Sequence, residues 1–185
     1  MSRIKWISVI VLLTTLGCLI FLGGPDYPVQ TPPVSTAAAQ TLQAQVKTAT
    51  ARASRGGLFT LQLTQEQLTS LLNVELQKRQ DIPLKEPLVL LHPDVMEIYG
   101  KVQQGNFLMN LKVVVTVMVS AEGKPQFQIK EAYLGALPLP QSLQKMISDA
   151  LNEAYLGAIG PAATGFRLES IIIGEGMMTI SGRIR

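Results

Sequence analysis

Residues 106–119 alternate with a period of two over a length that few strands reach. Every odd position is apolar: Phe107, Met109, Leu111, Val113, Val115, Val117 and Val119. The even positions mix Asn106, Asn110, Lys112 and Thr116 with Leu108, Val114 and Met118. Side chains of a strand point alternately to its two faces, so one face is bound for a core and the other is partly apolar. Fourteen residues at ~3.3 Å each reach about 46 Å, against a usual strand of roughly five or six residues. A chain that holds such a strand builds a long sheet around it.

The flanking pattern supplies the partners. Glu122-Gly123-Lys124 reads as a hairpin turn, with residues 126–134 returning antiparallel. Upstream, residues 58–63 read as a strand, after which Thr64 offers a helix N-cap with Gln67 three residues on, the spacing of a capping box. Leu68, Leu71, Leu72 and Leu76 follow at helical spacing and predict an amphipathic helix over 65–79. Pro83 and Pro87 bracket irregular or edge structure, and short strands at 88–91 and 95–99 flank a turn at His92-Pro93-Asp94. Beyond Pro138 and Pro140, a second helix starts near Gln141. Its stripe is Leu143, Met146, Ile147, Ala150, Leu151, Ala154 and Tyr155, and Gly157, Gly160 and Pro161 end it. Residues 168–173 and 177–184 form a last hairpin across Gly174-Glu175-Gly176. The order β-α-β-β-β-β-α-β-β, dominated by hairpins, predicts an α+β fold: a long, strongly curved antiparallel sheet wrapped around one or two amphipathic helices.

Residues 6–24 carry no charge, and Arg3 and Lys5 precede them. Nineteen residues at a helical rise span about 28 Å, close to a hydrocarbon core of ~30 Å. The run is expected to be a transmembrane helix with its N-terminus in the cytoplasm and the rest of the chain exported, a single-pass protein of the cytoplasmic membrane. Two other readings stay open: a lipoprotein signal acylated at Cys18, and a cleaved signal peptide. Each exports the domain. Residues 25–56 are rich in Pro, then in Ala, Thr and Gln, and read as a spacer followed by a poor helix or mobile stalk, while 57–185 form the exported domain.

The formal charge of +3 falls to +1 beyond residue 24, so the basic balance implies no basic face and no nucleic-acid partner. One Cys, inside the apolar run, excludes an internal disulfide framework, and one His leaves little for a metal site or a Ser-His triad. No G-x-S-x-G, H-E-x-x-H or C-x-x-C occurs. His92-Pro93-Asp94 has the letters of the J-domain tripeptide but stands between strands, where Pro followed by Asp is ordinary turn chemistry. Asp149 and Glu153 share a helix face opposite the apolar stripe and read as solvated. Neither an enzyme nor a cofactor or metal is expected.

What remains is apolar surface. About 17% of residues 25–185 are charged, against roughly 25% in average soluble domains, and this region keeps six methionines. Methionine suits surfaces that accommodate varied apolar partners. The run from Glu122 to Gln141, and that from Leu168 to Gly182, resemble small bacterial envelope proteins of the TULIP-like type, which include YpmS-like proteins and those similar to the mycobacterial lipomannan elongation accessory protein. Leu63-Thr64-Gln65-Glu66-Gln67-Leu68, the Leu71-Leu72 pair, and His92-Pro93-Asp94-Val95 followed by Gly100 resemble the same family's earlier half. The likeness covers about residues 57–185. It implies a helix wrapped in a curved antiparallel sheet, an apolar cavity and lipid binding or transfer in the cell envelope, with no catalytic set to carry over.

The leading expectation is therefore a membrane-anchored extracytoplasmic module holding an acyl chain or phospholipid in an apolar groove. Its candidate lining is Phe107, Met109, Leu111, Val113, Val115 and Val117 on the long strand, with Phe127, Ile129, Met146, Met178 and Ile180. Expected partners are the bilayer, through residues 6–24, and a lipid ligand. The alternative is a non-catalytic domain with a filled core that scaffolds an envelope complex.

Overall fold

The structure, a computed structural model, describes residues 20–21, 23–29, 33–53, 57–78, 83–149, 151 and 166–184. The long alternation becomes β5 (Phe107–Val119), the middle of the larger of two sheets. That sheet runs β3 (Leu84–His92), β4 (Val95–Gln104), β5, β6 (Pro125–Leu134) and β7 (Leu137–Pro138), all antiparallel. The second sheet places β9 (Met177–Ile184) between β2 (Leu58–Thr64) and β8 (Phe166–Ile173), again antiparallel. Helices α1 (Thr36–Ala53) and α2 (Gln65–Lys78) and a third helical segment, α3 (141–149), complete an α+β fold.

Register follows from which faces are apolar. On β5, Leu111, Val113 and Val115 are buried in the core, with Val117 and Val119 packed beside them. Strand β6 must oppose them with apolar side chains, yet its inward residues change parity, from Phe127 and Ile129 to Ala132 and Leu134. A bulge resolves the conflict. Val114 pairs with Glu131 but Val115 with Ile129, so Lys130 is the extra residue and both Lys130 and Glu131 face solvent. The two sheets are joined by backbone hydrogen bonds at their turns. Asp94 N–H donates to Ile173 O, and Gly176 N–H to Leu91 O, which ties the His92-Pro93-Asp94 turn to the β8–β9 turn.

The edge of β3 is closed by a helix. Thr64 and Gln67 form the expected capping box, each side-chain oxygen accepting from the other residue's backbone N–H (3.2 and 3.0 Å). The helix it starts, α2, buries Thr69 and Ser70 completely. The Thr69 hydroxyl accepts from Val89 N–H (2.9 Å) and donates to Val89 O (3.3 Å), standing in for the missing neighbour strand. The Ser70 hydroxyl accepts from Ser35 N–H, which holds the start of α1. That helix has only a narrow apolar stripe, Ala39, Leu42 and Val46, but it is docked, with Gln67 donating to Gln45 across the pair.

Two expectations change and an open one is decided. Ile20–Phe21, placed within the apolar run expected to be a transmembrane helix, is extended and pairs in parallel with Phe107–Leu108 as β1. Residues 25–29, read as a spacer, lie against the outer face of the larger sheet. Asn110 Nδ2 donates to Pro25 O, the Tyr27 hydroxyl donates to Glu86 O, and the Tyr27 ring meets Tyr99 edge-on at 6.2 Å. The stretch 36–53, open between a poor helix and a mobile stalk, is a packed helix. Among the described residues no helix is long and apolar enough to cross a membrane. Residues 1–19 and the expected continuation of the second helix through Tyr155 lie outside the described residues.

Removing the Thr69 hydroxyl leaves a buried backbone N–H without a partner. Thr69→Val is expected to lower stability by about 1–3 kcal/mol, read as a shift in the urea midpoint. An unchanged midpoint would show that the clasp on β3 contributes nothing.

Candidate apolar cavity

Helix α2 inverts the usual burial of an amphipathic helix. Its hydroxyls Thr69 and Ser70 are sealed, while Leu68, Leu71 and Leu72 are only half-buried. The leucines pack against the edge of the core and line a cavity beside it. The first sheet supplies the opposite wall with Val89, Met96, Ile98, Val117 and Phe127. The second sheet adds Leu63, Ile171, Met178 and Ile180, and the remaining contributors are Leu42 and Val46 of α1 and Leu151. The cavity is about 110 Å³, smaller than the roughly 300–1,000 Å³ usual for pockets that enclose a whole ligand, so it takes a segment of a chain.

The lining is apolar except for Glu75, whose carboxylate pairs with Lys78 Nζ at 2.7 Å on the last turns of α2. One ion pair therefore borders otherwise apolar walls. Such a space favours the desolvation of hydrocarbon. Two of its side chains, Met96 and Met178, are flexible enough to adapt to an irregular occupant. Among the described residues no three His, Cys, Asp or Glu side chains are grouped to hold a metal.

Of the residues expected to line a groove, Val117, Phe127, Met178 and Ile180 meet at this cavity. Leu111, Val113 and Val115 do not reach it, because the core closes over them, and Ile129 packs against that core. Phe107 and Met109 lie too far back along β5, near the β4–β5 turn, and the Phe107 side chain is 43% exposed. Met146 points out of α3 and is 63% exposed, while Ile147 on the same segment turns to the core. The strand is longer than the cavity, so its whole apolar face could not line one space. Leu68, Leu71 and Leu72 were visible in the sequence as a helical stripe but read as packing. Leu42 and Val46 were visible only as a weak spacing.

The opposite face of the larger sheet carries the ionic cluster. Glu97 pairs with Lys112 Nζ at 3.0 Å and accepts from the Tyr99 hydroxyl at 2.8 Å, with His92 Nε2 at 3.8 Å. Partial burial disfavours the Glu97 carboxylate, but the bonds from Lys112 and Tyr99 outweigh it and hold its pKa below the ordinary value. Burial together with the bond to Glu97 raises the Tyr99 phenol. His92 Nδ1 also meets Glu175 at 3.2 Å, so the cluster bridges the turns of both sheets.

Searches against protein-family models and against curated proteins return no match to this chain.

Since the folded pKa of Glu97 is depressed, its stabilisation is present above the unfolded value of roughly 4.3 and is lost as pH falls through the lower folded value. The difference in urea midpoint between wild type and Glu97→Gln is expected to shrink steadily below pH 5. A gap that holds constant or widens in acid would contradict this assignment.

Proposed function

We propose that the protein is a membrane-anchored, extracytoplasmic lipid-binding module that shelters an acyl chain in the cavity between its two sheets. The supporting observation is the half-buried leucine stripe of α2, facing an apolar space with a single carboxylate among its lining residues. Each methylene moved from water into such walls is worth ~0.8 kcal/mol, so the segment of chain that enters gains affinity without any specific polar contact. The ligand's head group would stay outside the apolar walls. Two antiparallel sheets with helices packed against them also suit the TULIP-like fold that the sequence resembles, and we infer that fold here. The uncharged N-terminal run behind Arg3 and Lys5 supports an anchor and an exported domain. Binding of this kind needs no catalytic group.

The full chain, purified and extracted with organic solvent, is expected to release lipid identifiable by mass spectrometry. After delipidation it should bind a fluorescent fatty acid. Leu72→Trp, which pushes an indole into the space, should weaken that binding at least tenfold, about 1.4 kcal/mol, with the urea midpoint little changed. A delipidated chain that takes up neither fatty acid nor phospholipid probe would remove the basis for this reading.

A further inference from the structure

Charge is unevenly distributed along the larger sheet. At one end, the turns carry Asp94, Glu122, Lys124 and, from the second sheet, Glu175. At the other end three uncharged stretches converge: residues 6–25, 102–111 and 132–144 contain no Asp, Glu, Lys or Arg. The backbone shows that they meet. Ile20 pairs with Phe107 and Phe21 with Leu108, occupying the edge of β5 just beyond the point where β6 ends at Leu134, opposite Leu111. Gly135 N–H donates to Asn110 O, and Asn110 Nδ2 donates to Pro25 O. A Cβ added to Gly24 would lie 2.7 Å from Gly135 Cα, a closeness that glycine alone permits.

The same end exposes large apolar side chains. Phe21 is 59% exposed, Phe107 43% and Leu137 71%. The nearest charges are Asp26, exposed beside Pro25, and Lys85, Glu86 and Lys101 of β3 and β4, where Lys101 pairs with Glu86 and Lys85 donates to Gln103. These exposed residues sit where the uncharged N-terminal run joins the domain.

We propose that this end of the larger sheet, carrying Phe21, Phe107 and Leu137, is a bilayer-docking surface that seats the domain in the lipid interface. It rests on the anchored reading of the N-terminal run and is independent of what the cavity holds. The occupant is a lipid surface because the patch is continuous with the uncharged apolar run and carries large exposed apolar side chains, with charges only at its margin, as an interfacial surface does, whereas the turns of the opposite end are charged.

Trp6 is the single tryptophan, so a Trp6→Phe chain reports on any tryptophan introduced elsewhere. Phe107→Trp, Leu137→Trp and Ile172→Trp are made separately in that background, Ile172 being an exposed position on β8. Each full chain is reconstituted in phosphatidylethanolamine/phosphatidylglycerol vesicles with plain or brominated acyl chains. Phe107→Trp and Leu137→Trp should lose most of their emission in brominated vesicles, and Ile172→Trp should keep it. Equal quenching at all three positions overturns the proposal, as does quenching at none. A blue shift at positions 107 and 137 without quenching also overturns it, and identifies a second copy of the chain as the cover. A chain that fails to enter vesicles overturns the anchor and the docking surface together. Fatty-acid uptake by the cavity, measured on the same chains, reports separately on lipid binding.

Discussion

The open edge of β3 is the constraint on which the cavity depends. A sheet edge presents unpaired N–H and C=O groups that must be satisfied or covered. Here α2 covers it with its polar side: Thr69 takes both backbone groups of Val89, and Ser70 takes the backbone of Ser35. With that side committed to the edge, the helix has one orientation left for Leu68, Leu71 and Leu72, and they turn toward the space between the sheets. A helix docked by its leucines would have filled that space. Docking by hydroxyls keeps the leucines available and leaves the cavity open, so edge protection and ligand space follow from one choice of buried face.

Most of this architecture was legible from periodicity. The alternation of β5, the capping box at Thr64 and Gln67, and the turn at His92-Pro93-Asp94 are local signals, and local geometry answers them. Features that depend on distant partners were hidden. The parity change of β6 is written in its sequence, but only the neighbouring β5 shows that it must be absorbed by a bulge at Lys130. Helix α1 has a stripe too narrow to predict burial, and Ser70 and Gln67 on another helix hold it. Ile20–Phe21 reads as membrane-bound by hydropathy, because hydropathy cannot distinguish lipid from the free edge of an apolar strand.

The cavity was only half legible for a related reason. Alternation identifies the buried face of β5 but not where along it packing stops and empty space begins. Leu111, Val113 and Val115 have the same character as Val117, yet the core closes over the first three and the last borders the cavity. The stripe of α2 carried the missing information. The sequence shows it as the apolar face of an amphipathic helix, and only the bond of Thr69 to the backbone of β3 shows that the hydroxyl face is the sealed one.

Strand β5 also sets the distance between the cavity and the apolar end of the larger sheet. Ile98, which lines the cavity, pairs with Val113, and six residues separate Val113 from Phe107, about 20 Å at the rise of a strand. Leu137 stands nearer: it pairs with Leu134, opposite Leu111, two residues from Val113, about 7 Å along the strand. On the proposed reading, with Phe107 and Leu137 both at the bilayer, the cavity wall begins close to the lipid interface, and an acyl chain would pass between the two over a short path. The scarcity of charge beyond residue 24 would then have two sources: walls that desolvate a ligand, and one end that meets the bilayer.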